Sequence, residues 1–419
     1  MNYTSFDNIQ ENQEWAFESV RSTEQWTHGY HRYPAKFLPN VVSKIIEDYA
    51  QESNLIADLF AGCGTTLVEA KIHGIPSLGT DINPVAQLIT KVKTTPIDPE
   101  QLQHFYDNLV SSFSEYQEDD YAEIQKHERI DYWFDQPQKA KIAFLYDKVA
   151  NINENDIKDF FHVCISHILK NCSRWLQSST KPQRDMGKDQ KDPFEEFKCH
   201  CKKMIAGNKK YYDELLKTDN LDINCEIRLE DSRHTSISQE SVNAIITSPP
   251  YVTSYEYADI HQLTAYWMEY ISDINDFRKK FIGTSYSDNM SLTISDSDQA
   301  QEIVNALSKK SKHIARDVAQ YFNDMQEVAK EMERILAPNG YACIVIGNTK
   351  IKDVQIKSAE VFFDFLQKAG MKKVDVIKRS IPYKLMPTLR DKNTGRFARP
   401  DNPNCKKVYP NEYIIIMKK

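Results

Sequence analysis

The string Thr247-Ser248-Pro249-Pro250-Tyr251 is rich in hydrogen-bond acceptors and poor in donors. Neither proline has a backbone N–H, and both restrict the chain, so the Ser248 hydroxyl and the Pro249 carbonyl would stand as fixed acceptors. Tyr251 adds an aromatic face beside them. Pro-Pro could simply end a strand, but that leaves Ser248 and Tyr251 unexplained. The string closes an apolar run, 242–248, at the strand end where open α/β sheets bind ligands.

A second string, Asp58-Leu59-Phe60-Ala61-Gly62-Cys63-Gly64-Thr65-Thr66, breaks the apolar run 55–60 into a glycine turn and then a helical pattern. Such turns serve many nucleotide ligands. The spacing here is G-x-G without the third glycine of a dinucleotide site. Asp81, followed by Ile82 and Asn83, ends the next strand, where its carboxylate can accept both ribose hydroxyls of an adenosine. Asp231, followed by Ser232, ends a third strand and is placed to meet an adenine amino edge. Acids at three neighbouring strand tips are harder to dismiss than one.

The elements that must position these groups follow an α/β rhythm. Strands are expected at 55–60, 75–83, 225–231, 242–248, 341–348, 372–381 and 413–419, with helices at 84–93, 318–337 and 357–369. Pro338-Asn339-Gly340 should stop the second of these helices. Of the 12 glycines, Gly62, Gly64, Gly74 and Gly79 fall in the first turns, as expected where backbone approaches a ligand. Residues 95–224 read as mostly helical; Ile157, Phe161, Cys164, Ile168, Cys172 and Trp175 step by three or four. The expected division is therefore 1–94, a helical insertion at 95–224 between the second and third strands, and 225–419. A looser excursion covers 270–317.

The two strings together resemble the DNA amino-methyltransferases, which form N4-methylcytosine or N6-methyladenine. A third segment, Tyr33-Pro34-Ala35-Lys36-Phe37-Leu38-Pro39, is similar to the family's H-P-A-(K/R)-F-P segment, which closes over the methionine end of the cofactor. Many members carry His where this chain has Tyr33; here His31 lies two residues earlier. The resemblance covers 25–93 and 225–419 and does not reach the insertion. It implies a Rossmann-like, seven-stranded methyltransferase sheet with an antiparallel last strand, and S-adenosyl-L-methionine as cofactor. The implied cofactor residues are Tyr33 to Phe37, Asp58, Phe60 to Gly62, Gly64 to Thr66, Asp81 to Asn83, Asp231 and Ser232. The implied catalytic residues are Ser248, Pro249, Pro250 and Tyr251.

The implied chemistry suits these side chains. An exocyclic amine on a base is a poor nucleophile because its lone pair is delocalised into the ring. Acceptors for the amino hydrogens let the nitrogen pyramidalise, and an aromatic face receives a base that must leave the duplex. In this family Ser at the first motif position goes mostly with N4-cytosine enzymes, so cytosine N4 is the expected target. Adenine N6, or an amino group in RNA, is the alternative, and a silent nucleic-acid binder is the alternative of another class. No cysteine precedes a motif suited to attack on cytosine C6, which disfavours carbon-5 methylation. Tyr255 and Tyr257 are candidate base-pocket residues, and Trp267 is expected to pack on the sheet.

Net charge is −7, but two stretches run basic: 181–210 with nine Lys/Arg against five Asp/Glu, and 372–407 with eleven against three. Phosphate contact depends on such local patches. Arg390, Arg396 and Arg399, in a connection far longer than usual, are candidate contacts to double-stranded DNA, beside the insertion. A restriction or phage-defence setting, with a cognate nuclease as partner, is expected. Cys199-His200-Cys201, with His162, Cys164, His167 and Cys172, matches no common zinc spacing, so no metal is expected. Absence of a leader pattern, of a membrane-length apolar run and of regular cysteine spacing points to the cytoplasm.

Overall fold

A computed structural model describes residues 3–18, 22–34, 36–121, 127–252, 257–284, 291–381, 389–391, 401–407 and 411–419. Its central sheet has seven strands: β1 Ile56–Asp58, β2 Ser77–Asp81, β3 Cys225–Leu229, β4 Val242–Thr247, β5 Leu336–Ile346, β6 Lys372–Ser380 and β7 Asn411–Lys418. They lie in the order β3-β2-β1-β4-β5-β7-β6. The first five are parallel, and β7 enters antiparallel to both β5 and β6. This is the sheet expected of a Rossmann-like methyltransferase. Strands β1, β4 and β7 are buried nearly throughout, which is why they read as unbroken apolar runs rather than alternating ones.

Reversal of strand order around β1 and β4 opens a crevice at their carboxyl ends, and both strings lie there. Gly64, with φ 73°, starts the helix Thr65–Ile72 directly after β1. Asn83 caps the helix Pro84–Thr94 after β2, its side chain accepting from the Val85 N–H.

β5 departs from expectation. It begins at Leu336, directly after the helix Lys312–Ile335, instead of at 341. Leu336 pairs with Val242, the register then jumps, and Tyr341 pairs with Ala244. The Pro338-Asn339-Gly340 breaker thus becomes a bulge inside the strand, with Asn339 left-handed at φ 66°.

Between β2 and β3 the chain forms the helices Pro99–Ser111, Glu128–Trp133, Gln136–Ala150, Asn155–Cys172 and Pro193–Lys217. Ile157, Phe161, Cys164, Ile168 and Cys172 are all buried, as their spacing requires. They belong to a core that also contains Val85, Ile89 and Val92 from the helix after β2, and Leu263, Tyr266 and Trp267 from the segment after β4. The insertion therefore shares apolar contacts with both elements that flank the crevice. Among the described residues no helix is long and apolar enough to cross a membrane.

Candidate active site

At the tip of β1, Asp58 is buried and accepts from the Thr247 hydroxyl at 2.6 Å and the Phe60 N–H at 3.0 Å. Burial raises its pKa while those bonds oppose the shift. Asp58 thus ties β1 to the start of the Thr247–Tyr251 string. The Ala61 N–H donates to the Thr80 carbonyl at 3.0 Å, and the Thr66 hydroxyl to the Ile246 carbonyl at 3.3 Å. Ser232 closes the same knot by donating to the Leu59 carbonyl. Thr65 is buried at the helix start, and Phe60 is half-buried.

Gly62 has φ 52°, and its N–H donates to Asp81 Oδ2 at 2.9 Å. The Asn83 N–H donates to Asp81 Oδ1 at 2.8 Å. Each carboxylate oxygen has a further lone pair for a ligand hydroxyl. One residue on, Ile82 lines a cavity of about 460 Å³ with Pro84, Leu229, Phe277 and Lys280. Asp231 is already engaged: Arg233 donates to it through Nε at 3.0 Å and Nη2 at 2.6 Å. Burial opposes ionisation of Asp231, but Arg233 outweighs it and holds the carboxyl below its usual range.

Over the glycine turn stands Tyr33, whose ring a Cβ at Gly62 would meet at 3.4 Å. Tyr257 stacks on Tyr33 with centroids 6.2 Å apart. His31 is tied away into the insertion, bonding Ser166 Oγ at 2.9 Å, so Tyr33 is the residue of this pair beside the turn. Lys36 reaches the Thr23 and His28 carbonyls at 3.4 Å, Pro34 is half-buried, and Phe37 packs beneath the sheet; these brace the segment. Ala35 and Tyr255 lie outside the described residues, as do Arg396 and Arg399. Arg390 falls in a short strand, Leu389–Asp391, paired antiparallel with Cys405–Lys407.

Within the Thr247–Tyr251 string, the Ser248 hydroxyl donates to the Val345 carbonyl of β5 at 3.0 Å. Its one proton is thereby spent, and its lone pairs are left to accept. The Pro250 carbonyl accepts from the Tyr321 hydroxyl at 3.0 Å, while no donor among the described residues reaches the Pro249 carbonyl. The Tyr251 hydroxyl donates to Glu412 Oε2 at 3.0 Å, and burial together with Glu412 pushes the phenol well above its ordinary pKa.

Several supporting residues escaped the sequence reading. Buried Lys93 donates to the Cys63 carbonyl at 2.5 Å and so braces the glycine turn. His261 sits 4.9 Å from the Tyr33 ring, and its Nδ1 accepts from Asn83 Nδ2 at 2.9 Å. Burial lowers His261 to about 4, which keeps it neutral, with its proton on Nε2. Tyr321, Val345 and Glu412 are the others. Cys63 is buried, as expected, whereas Trp267 packs not on the sheet but in the insertion core, stacked on Tyr146 and edge-on to Phe134. Among the described residues no group of three or more His, Cys, Asp or Glu is placed to hold a metal ion.

A sheet of this order, with a glycine turn under one strand tip and an acceptor-rich string at the neighbouring tip, defines an S-adenosylmethionine-dependent methyltransferase. The sequence model of the DNA methylase family, of N6/N4 type, matches residues 3–92 and 242–419, and the chain belongs to that family. It is similar to the type II methyltransferase M.MvaI of Kocuria varians, 28% identical over 394 residues, covering 88% of this chain and 87% of that one. The type II methyltransferase M.MjaII of Methanocaldococcus jannaschii is 33% identical over 98 residues, 23% of this chain and 18% of that one. Among solved structures, an S-adenosylmethionine-dependent methyltransferase from Methanosarcina mazei aligns over 90% of this chain and 96% of its own. Its identity is 10% and its TM-score 0.31, too loose to carry structural weight. The chain is thus an S-adenosylmethionine-dependent DNA methyltransferase.

Proposed function

We propose that this enzyme methylates the exocyclic N4 of cytosine in double-stranded DNA, at a site built from Ser248, Pro249, Pro250 and Tyr251. The observation that carries the reading is the bond from the Ser248 hydroxyl to the Val345 carbonyl. It commits Ser248 to accepting a hydrogen from an incoming amino group. The Pro249 carbonyl takes the second amino hydrogen, and both acceptors sit on backbone that proline stiffens. Under that pull the nitrogen pyramidalises and frees its lone pair. Tyr251 presents its face to the extruded ring. When bound, S-adenosylmethionine supplies a methyl group on a positively charged sulfur, so the protein's main task is alignment.

Donor set and space both suit that cofactor. The Gly62 turn lies under the Tyr33 ring, Asp81 offers acceptors for two ribose hydroxyls, and the cavity beyond Ile82 lies where a purine on that ribose would extend. In this reading Asp231 faces the purine amino edge, but the Arg233 backbone N–H and guanidinium already occupy both of its oxygens, so that contact requires the clasp to yield. Ser as the first acceptor favours cytosine because, in the resembling family, Ser at that motif position goes mostly with N4-cytosine enzymes. The insertion 95–224 and the segment bearing Arg390, Arg396 and Arg399 form the DNA-facing side. Both named relatives are type II methyltransferases, which supports a restriction–modification setting with a cognate nuclease. The test is transfer of tritiated methyl groups from the cofactor to plasmid DNA. Ser248→Ala should lose most of the transfer while binding the cofactor normally by calorimetry; full transfer by that variant contradicts the proposed role.

A further inference from the structure

We infer that Glu412, clamped by Arg379, is the positioning residue that fixes the Tyr251 ring for the target base. The inference rests on the proposed stacking role of Tyr251 and goes beyond it, to what sets the ring's orientation. Glu412 and Arg379 are directly opposite partners across β7 and β6. Arg379 is 3% exposed; it donates through Nε to the Trp15 carbonyl at 2.7 Å and through Nη1 to Glu412 Oε1. That leaves Oε2 of Glu412, itself 9% exposed, to accept from the Tyr251 hydroxyl at 3.0 Å. On the ring's edge, Gly347 leaves just enough room: a Cβ there would lie 2.8 Å from Tyr251 Cε2.

The ring is therefore held from three sides: by the Pro-Pro backbone, by the gap at Gly347 and by a carboxylate. A purely structural role is a poor account of this arrangement. Burying an ion pair is costly and seldom more stable than apolar packing of the same volume. A phenylalanine would fill the Tyr251 space with no charged pair behind it. What the charged pair adds is direction: an acceptor fixed at one point, with its other oxygen already taken. β6 and β7 also bound the segment 381–410, so the basic stretch and the base-stacking ring share one support.

Single-turnover methyl transfer into plasmid DNA, at saturating cofactor and DNA, tests the inference. Tyr251→Phe keeps the ring and removes only the tether; it should slow transfer about tenfold, the scale of one lost charge-assisted hydrogen bond. Cofactor affinity and KM for DNA should stay at wild-type values, a split that general destabilisation does not give. Glu412→Gln should show a loss no larger than that, because its oxygen stays on Arg379 and its amide N–H can only donate to the Tyr251 hydroxyl, a weaker neutral bond in place of the charge-assisted one. The double variant should be no slower than Tyr251→Phe alone. Wild-type transfer by Tyr251→Phe, or losses that multiply in the double variant, overturns the inference. If Glu412→Gln folds poorly, the Tyr251→Phe rate alone decides. Tyr251→Ala separates the two levels: if it is slow while Tyr251→Phe is normal, only the tether fails, and if it too is normal, the stacking reading fails.

Discussion

Burial raises the Asp81 carboxyl to about 6, although the N–H groups of Asn83 and Gly62 pull it down. Two ribose hydroxyls need an ionised acceptor, since a proton on the carboxyl removes a lone pair and adds a competing donor. Above pH 6 the group is charged; below it the group is neutral. Cofactor affinity should therefore hold steady at higher pH and fall as pH drops through about 6. Asp81→Asn should weaken binding by about 1–3 kcal/mol above that pH and flatten the profile below it. Titration calorimetry at pH 5 and pH 8 checks both. At this scale the sequence was legible where the candidate site lies in a continuous string: Asp58 to Thr66, and Thr247 to Tyr251, which the sheet brings to one crevice. It was not legible where a partner comes from afar. Glu412 is 161 residues from Tyr251, and His261 is 178 from Asn83. No local pattern marks either one.

Among the elements, β1, β4 and β7 were legible as plain apolar runs because they are buried along nearly their whole length, while the partly exposed β3 and β6 carry mixed runs. β5 shows where local reasoning stops. Pro338-Asn339-Gly340 has the chemistry of a terminator, yet pairing of Leu336 with Val242 carries the strand through it as a bulge. Tertiary pairing overrode the local signal. Asp231 is similar: its place at a strand tip was readable, but its clasp with Arg233 depends on how the turn closes. The segment between β6 and β7 carries a prediction of its own. Neutralising Arg390, Arg396 and Arg399 together should weaken DNA binding at every sequence and reduce its salt dependence, since phosphate contacts release counterions. Cofactor affinity should not change. Unaltered DNA affinity and salt slope in filter binding across a salt series would remove the segment from the interface.

Across the whole molecule, the insertion shares its core with the helix after β2 and the segment after β4. That sharing was invisible in the sequence, where 95–224 stands out only as an interruption; the stripe from Ile157 to Cys172 showed that the insertion had a core, not whose core it was. Shared burial predicts one cooperative thermal transition, shifted upward as a unit by S-adenosylmethionine. Scanning calorimetry with two transitions, only one of them moved by cofactor, would show an independent insertion instead. The central claim concerns what the assembled chain produces: a methyl group on the N4 of cytosine, placed there by a serine whose proton is already committed to Val345. Nucleoside mass spectrometry of DNA from cells expressing the protein measures that product directly. The account predicts N4-methylcytosine, present with the native chain and lost with Ser248→Ala; N6-methyladenine as the sole new nucleoside would contradict the cytosine assignment, and neither nucleoside would contradict the account as a whole.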